Sequence, residues 1–236
     1  MLRRDFSRLF ALVYPPRCYV CGCLLDTPFQ DMCIGCRNDI PMTYYWQRED
    51  NPVKAHFDGL ARIEHGSAFI YFSRHSHWQR ALHTFKYQKM WRTGYALARW
   101  YGSELKASGL YDDIDMVVPI PLHTIKLLKR GYNQSTYIAE GVARELGVEY
   151  RTHLLRRTRN NPSQALNRGG NRWKNAESLF AVRNKKALAG RHILLVDDVL
   201  TSGATLCSCI NAIHKAVPDC KISVATLYVA SNDIER

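Results

Sequence analysis

Acidic residues are scarce in this chain, and in one stretch they are missing altogether. Its 236 residues carry 33 Lys and Arg against 21 Asp and Glu, a formal net charge of +12. Within residues 151–174 there are seven basic side chains (Arg151, Arg156, Arg157, Arg159, Arg168, Arg172 and Lys174) and no carboxylate. An excess of this size favours phosphate-bearing partners. Its concentration among Asn, Gly, Ser and Gln reads as a single positive, mobile loop. Long apolar runs are also missing. Nothing approaches the roughly 20 consecutive apolar residues of a membrane-spanning helix, so no integral membrane association is expected. The apolar run at residues 9–13 is too short for a secretory signal. Asp5 and Arg8 precede it, and Pro15-Pro16 stands where a small-residue cleavage site belongs. A short amphipathic helix is expected there instead, with Leu2, Phe6, Leu9, Phe10 and Val13 on one face, packed on its own protein. A cytoplasmic, reducing location follows as the expectation. There is no Gly-x-x-x-x-Gly-Lys-Ser/Thr segment either, which excludes a P-loop nucleotide site.

What is present suits a folded α/β protein. Hydrophobic residues make up 46% and charged residues 23%, the composition of an ordinary globular chain. The length allows one full domain of the usual ~100–150 residues and a small module beside it. We read residues 1–45 as an N-terminal helix and a four-cysteine module, 46–65 as a linker or docking segment, and 66–236 as the main domain. In that domain, residues 68–72, 116–121, 192–196 and 221–229 read as buried strands. Residues 79–85, 94–106, 133–146 (closed by Gly147) and 205–217 read as helices. Such alternation implies a mostly parallel sheet flanked by helices, with ligands beyond the carboxyl ends of its strands.

Five of the eight cysteines crowd into residues 18–36, as Cys18-x-x-Cys21-x-Cys23 and Cys33-x-x-Cys36. Two knuckles of this form suit a structural Zn²⁺ held by Cys18, Cys21, Cys33 and Cys36, a zinc-ribbon-like arrangement. Cys23 stands as a spare able to replace Cys21. Gly22 and Gly35 ease the turns that bring amides toward thiolates. So small a segment has little core of its own, and metal would supply the folding energy. Disulfides are disfavoured in a reducing compartment. A catalytic zinc would need an open coordination position that four sulfurs do not leave. Cys207 and Cys209, two apart on an expected helix, read as small core residues.

The chemistry of the main domain concentrates where the apolar run Ile193-Leu194-Leu195-Val196 meets Asp197-Asp198. Two adjacent carboxylates at the end of a buried strand are costly as structure and natural as ligands. Val199, Leu200, Thr201, Ser202, Gly203, Ala204 and Thr205 then lead into a helix. Small residues and hydroxyls at a helix N-terminus form a cradle for a phosphate monoester. Carboxylates beside a phosphate are explained by vicinal ribose hydroxyls, which donate to them. The ligand expected is therefore a ribose 5-phosphate derivative.

Residues 196–205 resemble the phosphoribosyl pyrophosphate (PRPP) signature of type I phosphoribosyltransferases. The wider set is similar to the ComF family, associated with natural transformation and DNA uptake. It comprises the cysteine knuckles, Leu82-His83-x-Phe85-Lys86-Tyr87, Val118-Pro119-Ile120-Pro121-Leu122, Lys129-Arg130-Gly131-Tyr132-Asn133-Gln134, and Arg156-x-Thr158 with Gln164-x-Leu166, Arg168 and Asn175. The resemblance covers nearly the whole chain. It implies a type I phosphoribosyltransferase-like fold, with Asp197 and Asp198 on the ribose hydroxyls and Thr201 to Thr205 on the 5-phosphate. It also implies a pyrophosphate loop at Pro119, Ile120, Pro121 and Leu122, Mg²⁺ accompanying PRPP, and a basic flap carrying Arg156, Arg157, Arg159, Arg168 and Arg172. Ser202 departs from the Thr usual at that position and keeps its hydroxyl.

Two classes of function follow. One is a PRPP-dependent transferase of nucleotide metabolism or salvage, with Asp197 and Asp198 as candidate catalytic groups and the acceptor unidentified. The other is a binding platform for single-stranded DNA, with the basic stretch on phosphates, Trp173 as a stacking surface and a DNA-processing or uptake protein as partner. Glutamine-dependent amidotransfer is disfavoured, because no terminal cysteine nucleophile opens the chain.

Overall fold

The β-branched and leucine-rich runs build the centre of the molecule. The computed structural model describes residues 15–27, 31–73, 76–87, 91–158 and 179–230. The helix expected before residue 14, and Trp173, Arg159, Arg168 and Arg172, lie outside the described residues. Five strands, β1 (Gly66–Phe72), β2 (Met116–Pro119), β3 (Glu149–Tyr150), β6 (His192–Leu200) and β7 (Lys221–Ala230), form one sheet in the order β1-β7-β6-β2-β3. Every pairing in it is parallel.

Side-chain alternation places the two cores. Val117, Leu194 and Val196 face one side of the sheet, with Leu97 and Tyr101 of α4 (Trp91–Ser108) and Ile138 and Val142 of α6 (Gln134–Leu146). Met116, Val118, Ile193 and Leu195 face the other, against Leu206, Ile210 and Ile213 of α7 (Ala204–Ala216). Strands buried on both faces become continuous apolar runs, which is what made them legible. Cys207 and Cys209 are buried in the second core, and α6 ends on Gly147 at φ 78°, both as expected.

Strand β6 continues past Val196 to Leu200. Its ladder with β7 pairs Asp197 with Thr226, Val199 with Tyr228 and Leu200 with Val229. The two carboxylates therefore sit on rigid strand rather than on loop. The stretch expected as one mobile loop from Arg151 is ordered at its start. Strand β4 (Leu155–Arg157) pairs antiparallel with β5 (Phe180–Val182), Arg157 opposite Phe180. The apolar partners on β5 lie outside the charged window, so charge alone concealed this ribbon.

Residues 46–65, expected as a linker or docking segment, are packed into the protein. Trp46, Val53 and Phe57 are buried. Asn51 caps the short α2 (Pro52–His56), its Oδ1 accepting from Val53 and Lys54 N–H while its Nδ2 donates to the carbonyls of Arg48 and Gly66. The outer edge of β1 is covered: Thr43 N–H donates to Phe69 O and Tyr71 N–H to Pro41 O. Among the described residues, no helix is long and apolar enough to cross a membrane.

Candidate functional site

At the carboxyl end of the sheet, β6 and β2 deliver their loops to one small cleft of about 200 Å³. Ile120, Pro121 and Leu122 form one wall, and Asp197, Asp198, Val199, Thr201 and Thr205 another. Parallel strands in register force this meeting, since Pro119 pairs with Val196 and Ile120 N–H donates to Val196 O at 2.8 Å. The loop after β2 is also tied from the α6 side, where Asn133 Nδ2 donates to Ile120 O at 2.9 Å. Asp197 Oδ1 accepts from Ser135 Oγ at 2.9 Å and from the Asp198 amide at 2.8 Å. Its rotamer is thus held, and Asp198 is itself buried. Gly203, at φ 67°, starts α7, turning the chain so that residues 201–205 lie at the helix N-terminus.

Three positive side chains answer the two carboxylates. Lys126 of α5 (Thr124–Arg130), Arg130 and Arg157 all line the cleft. Arg157 is half-buried, with its guanidinium 5.4 Å from the Phe180 ring centre. Burial pulls its pKa down, opposed by attraction to Asp197. Its Nε and Nη2 are buried without a hydrogen-bond partner among the described residues. Desolvated guanidinium N–H groups are costly, and an anionic ligand in the cleft would satisfy them. His56 Nε2, from α2, is likewise buried and unpartnered, and lies 2.7 Å from where a Cβ on Gly203 would stand. Neither His56 nor Ser135 stands out in the sequence, because each reaches the site only through packing.

Arg156 lines a second, larger cleft beyond the loop 119–122, of about 900 Å³, which Arg157 also borders. Tyr132, Tyr137, His123, His153 and Arg183 share that lining.

In the cysteine module, the sulfurs of Cys18, Cys21, Cys33 and Cys36 lie within 4.8 Å of one another. Cys21 Sγ and Cys33 Sγ are 3.8 Å apart. Cys33 caps α1 (Ile34–Asn38) by accepting the Cys36 amide. Burial raises the Cys18 thiol, but the amides of Cys21, Cys33 and Val20 outweigh it and bring the pKa down to about 6. Amides aimed at sulfur in this way stabilise thiolate, the form that ligates metal. The four residues could hold a metal ion. Cys23 is exposed and outside the four, and its carbonyl accepts from Cys18 N–H.

At the opposite end of the sheet, Asp113 Oδ2, His192 and Ser223 Oγ lie in a row, with 2.9 Å on each side of the imidazole. The order is that of a hydrolytic triad, but Ser223 is fully buried inside β7 and its Oγ already accepts the His65 amide. No substrate reaches that oxygen, and the row fastens β6 to β7.

The phosphoribosyl transferase domain family matches residues 133–235, the part of the chain that holds α6, the β4–β5 ribbon and β6. Competence protein F of Haemophilus influenzae is 24% identical over 207 residues, covering 80% of this chain and 87% of that protein. DNA utilization protein YhgH of Escherichia coli K12 is 32% identical over 92 residues, so that this chain spans only 40% of YhgH in the match. Among solved structures, a hypoxanthine phosphoribosyltransferase from Staphylococcus aureus aligns over 60% of this chain and 68% of its own, at 11% identity and a TM-score of 0.38.

Proposed function

The chain belongs to the ComF family, and from that premise we propose that it binds PRPP, or a related ribose 5-phosphate, and handles single-stranded DNA during DNA uptake in natural transformation. The observation that carries the first half is the meeting of Asp197 and Asp198 with the loop 119–122 and the unsatisfied guanidinium of Arg157 in one cleft. Vicinal ribose hydroxyls would donate to the two carboxylates. The 5-phosphate would lie on the N-terminus of α7, against residues 201–205. A pyrophosphate would lie along Pro119, Ile120, Pro121 and Leu122, where Arg157 supplies its buried N–H groups, with Mg²⁺ as the accompanying cation. The names of the relatives, competence and DNA utilization, support the second half over a transferase of nucleotide salvage. The net charge of +12 supports a polyanionic partner.

For the cysteine module we propose structural zinc. Tetrahedral Zn²⁺ with sulfur at about 2.3 Å implies sulfur–sulfur separations of about 3.8 Å, and Cys21 and Cys33 stand at 3.8 Å. When bound, the ion would hold all four sulfurs as thiolates and close the module.

PRPP with Mg²⁺ should raise the melting temperature of the wild-type protein, as any ligand specific for the native state does. The double substitution Asp197→Asn and Asp198→Asn should abolish that shift. Equal stabilisation of both proteins would refute the assignment.

A further inference from the structure

The larger cleft beyond loop 119–122 shares one edge with the ribose-phosphate cleft, yet the rest of its lining has a chemistry of its own. At about 900 Å³ it lies near the upper end of the ~300–1,000 Å³ usual for ligand pockets. No Asp or Glu occurs among the described residues that line it, while Arg156, Arg183 and His153 do. Its floor is aromatic. Tyr132 meets Tyr137 edge-on at 5.8 Å, and Tyr137 stacks on Trp91 at 5.3 Å with 28° between the rings. Trp91 carries this ladder out of the cleft to the surface, where it is 40% exposed, and the Arg92 guanidinium sits 5.2 Å from its ring centre. The neighbouring helix α5 leaves Leu128 80% exposed in the midst of Lys126, Lys129 and Arg130.

Cationic walls without carboxylates call for a polyanion, and a ring stack that ends on an exposed Trp91 calls for flat, unpaired bases. A duplex offers its phosphates but keeps its base faces covered. We infer that this cleft, with the Trp91–Tyr137 ladder at its mouth, is a track for a few nucleotides of single-stranded DNA. Bases stack on the ladder, and phosphates lie against Arg156 and Arg183. The inference rests on the reading of the chain as a handler of single-stranded DNA and gives that reading a place. The track is separate from the ribose-phosphate cleft but adjoins it, since Pro121, Leu122, Asn133 and Arg157 line both.

Fluorescence anisotropy of a labelled oligothymidylate of about 15 nucleotides, within the range of single-strand site sizes, tests this on the full chain. Trp91→Ala should weaken binding about tenfold, whereas Trp91→Phe, which keeps a stacking face, should retain most of it. Arg183→Glu should weaken binding and reduce the slope against salt by about 0.7 for one lost phosphate contact. All three variants should keep the thermal shift given by PRPP with Mg²⁺, which reports that they fold. Wild-type affinity in both Trp91→Ala and Arg183→Glu would overturn the track while leaving DNA binding standing. A duplex of equal length binding as tightly as the single strand would overturn it too. A wild-type protein that binds no DNA would instead bring down the functional reading, and the track with it.

Discussion

Asp197, Gly203 and Arg157 each meet a neighbour distant in sequence: Ser135, His56 and Phe180. Asp197 is steadied by Ser135, 62 positions away. Gly203 combines two demands: its φ of 67° belongs to the left-handed region, and its missing side chain leaves room for His56. Gly203→Ala should therefore cost about 1–2 kcal/mol for the backbone and add a clash with the imidazole. Thermal denaturation should show a lower midpoint and a diminished response to PRPP. The same substitution in a His56→Ala background should recover part of the loss, because only the steric component is relieved. An identical loss in both backgrounds would show that the imidazole plays no part. The two acidic residues and the glycine were legible in the sequence because strand, carboxylates and small residues follow one another directly. His56 was not, since nothing local distinguishes it from any histidine ending a short helix.

At the level of elements, the site depends on helix α6, which presents Asn133 and Ser135 to it and rests on α4. The two helices approach closely through glycines. A Cβ on Gly141 would stand 2.8 Å from the Tyr95 carbonyl and 2.9 Å from Ala98 Cβ, and one on Gly102 would stand 3.0 Å from Val142 Cα. Alanine would ordinarily gain about 1 kcal/mol of helix propensity. Here backbone atoms cannot yield, and overpacking of about 1–3 kcal/mol outweighs that gain. Gly141→Ala should accordingly lower stability in urea, by up to about 2 kcal/mol once the propensity gain is subtracted; an increase would mean that the helices separate freely. The long helices and central strands were readable from apolar periodicity. The two-residue β3, the three-residue β4 and β5 and the seven-residue α5 were not, because so few residues carry no period and their pairing is tertiary. The continuation of β6 through Asp197 and Asp198 was hidden for a related reason: charged residues do not read as strand until a partner such as β7 holds them.

Across the whole molecule, the cysteine module and the sheet share one core. Tyr19, Val20 and Leu25 are buried in the cluster that holds Trp46, Phe69 and Tyr228, and the segment leading out of the module covers the edge of β1. Extraction of the metal proposed for the four sulfurs should then lower the midpoint of a single cooperative transition, by about 2–4 °C for each kcal/mol lost. Calorimetry with and without chelator reads this directly, and an unchanged main transition with a separate early one would mean that the module melts alone. The sequence by itself determined the alternation of strands and helices, the run of carboxylates, hydroxyls and glycine at the end of β6 for which we propose a ribose phosphate, and the two cysteine knuckles. Each of these is written in contiguous residues whose spacing carries the chemistry. Only the tertiary structure decided that Cys21 rather than Cys23 joins the sulfur cluster, that Arg157 borders both clefts while Arg156 borders the larger one, and that Trp91 stacks on Tyr137. Those are distances between segments, set by how helices and loops pack on the sheet, and no local pattern encodes them.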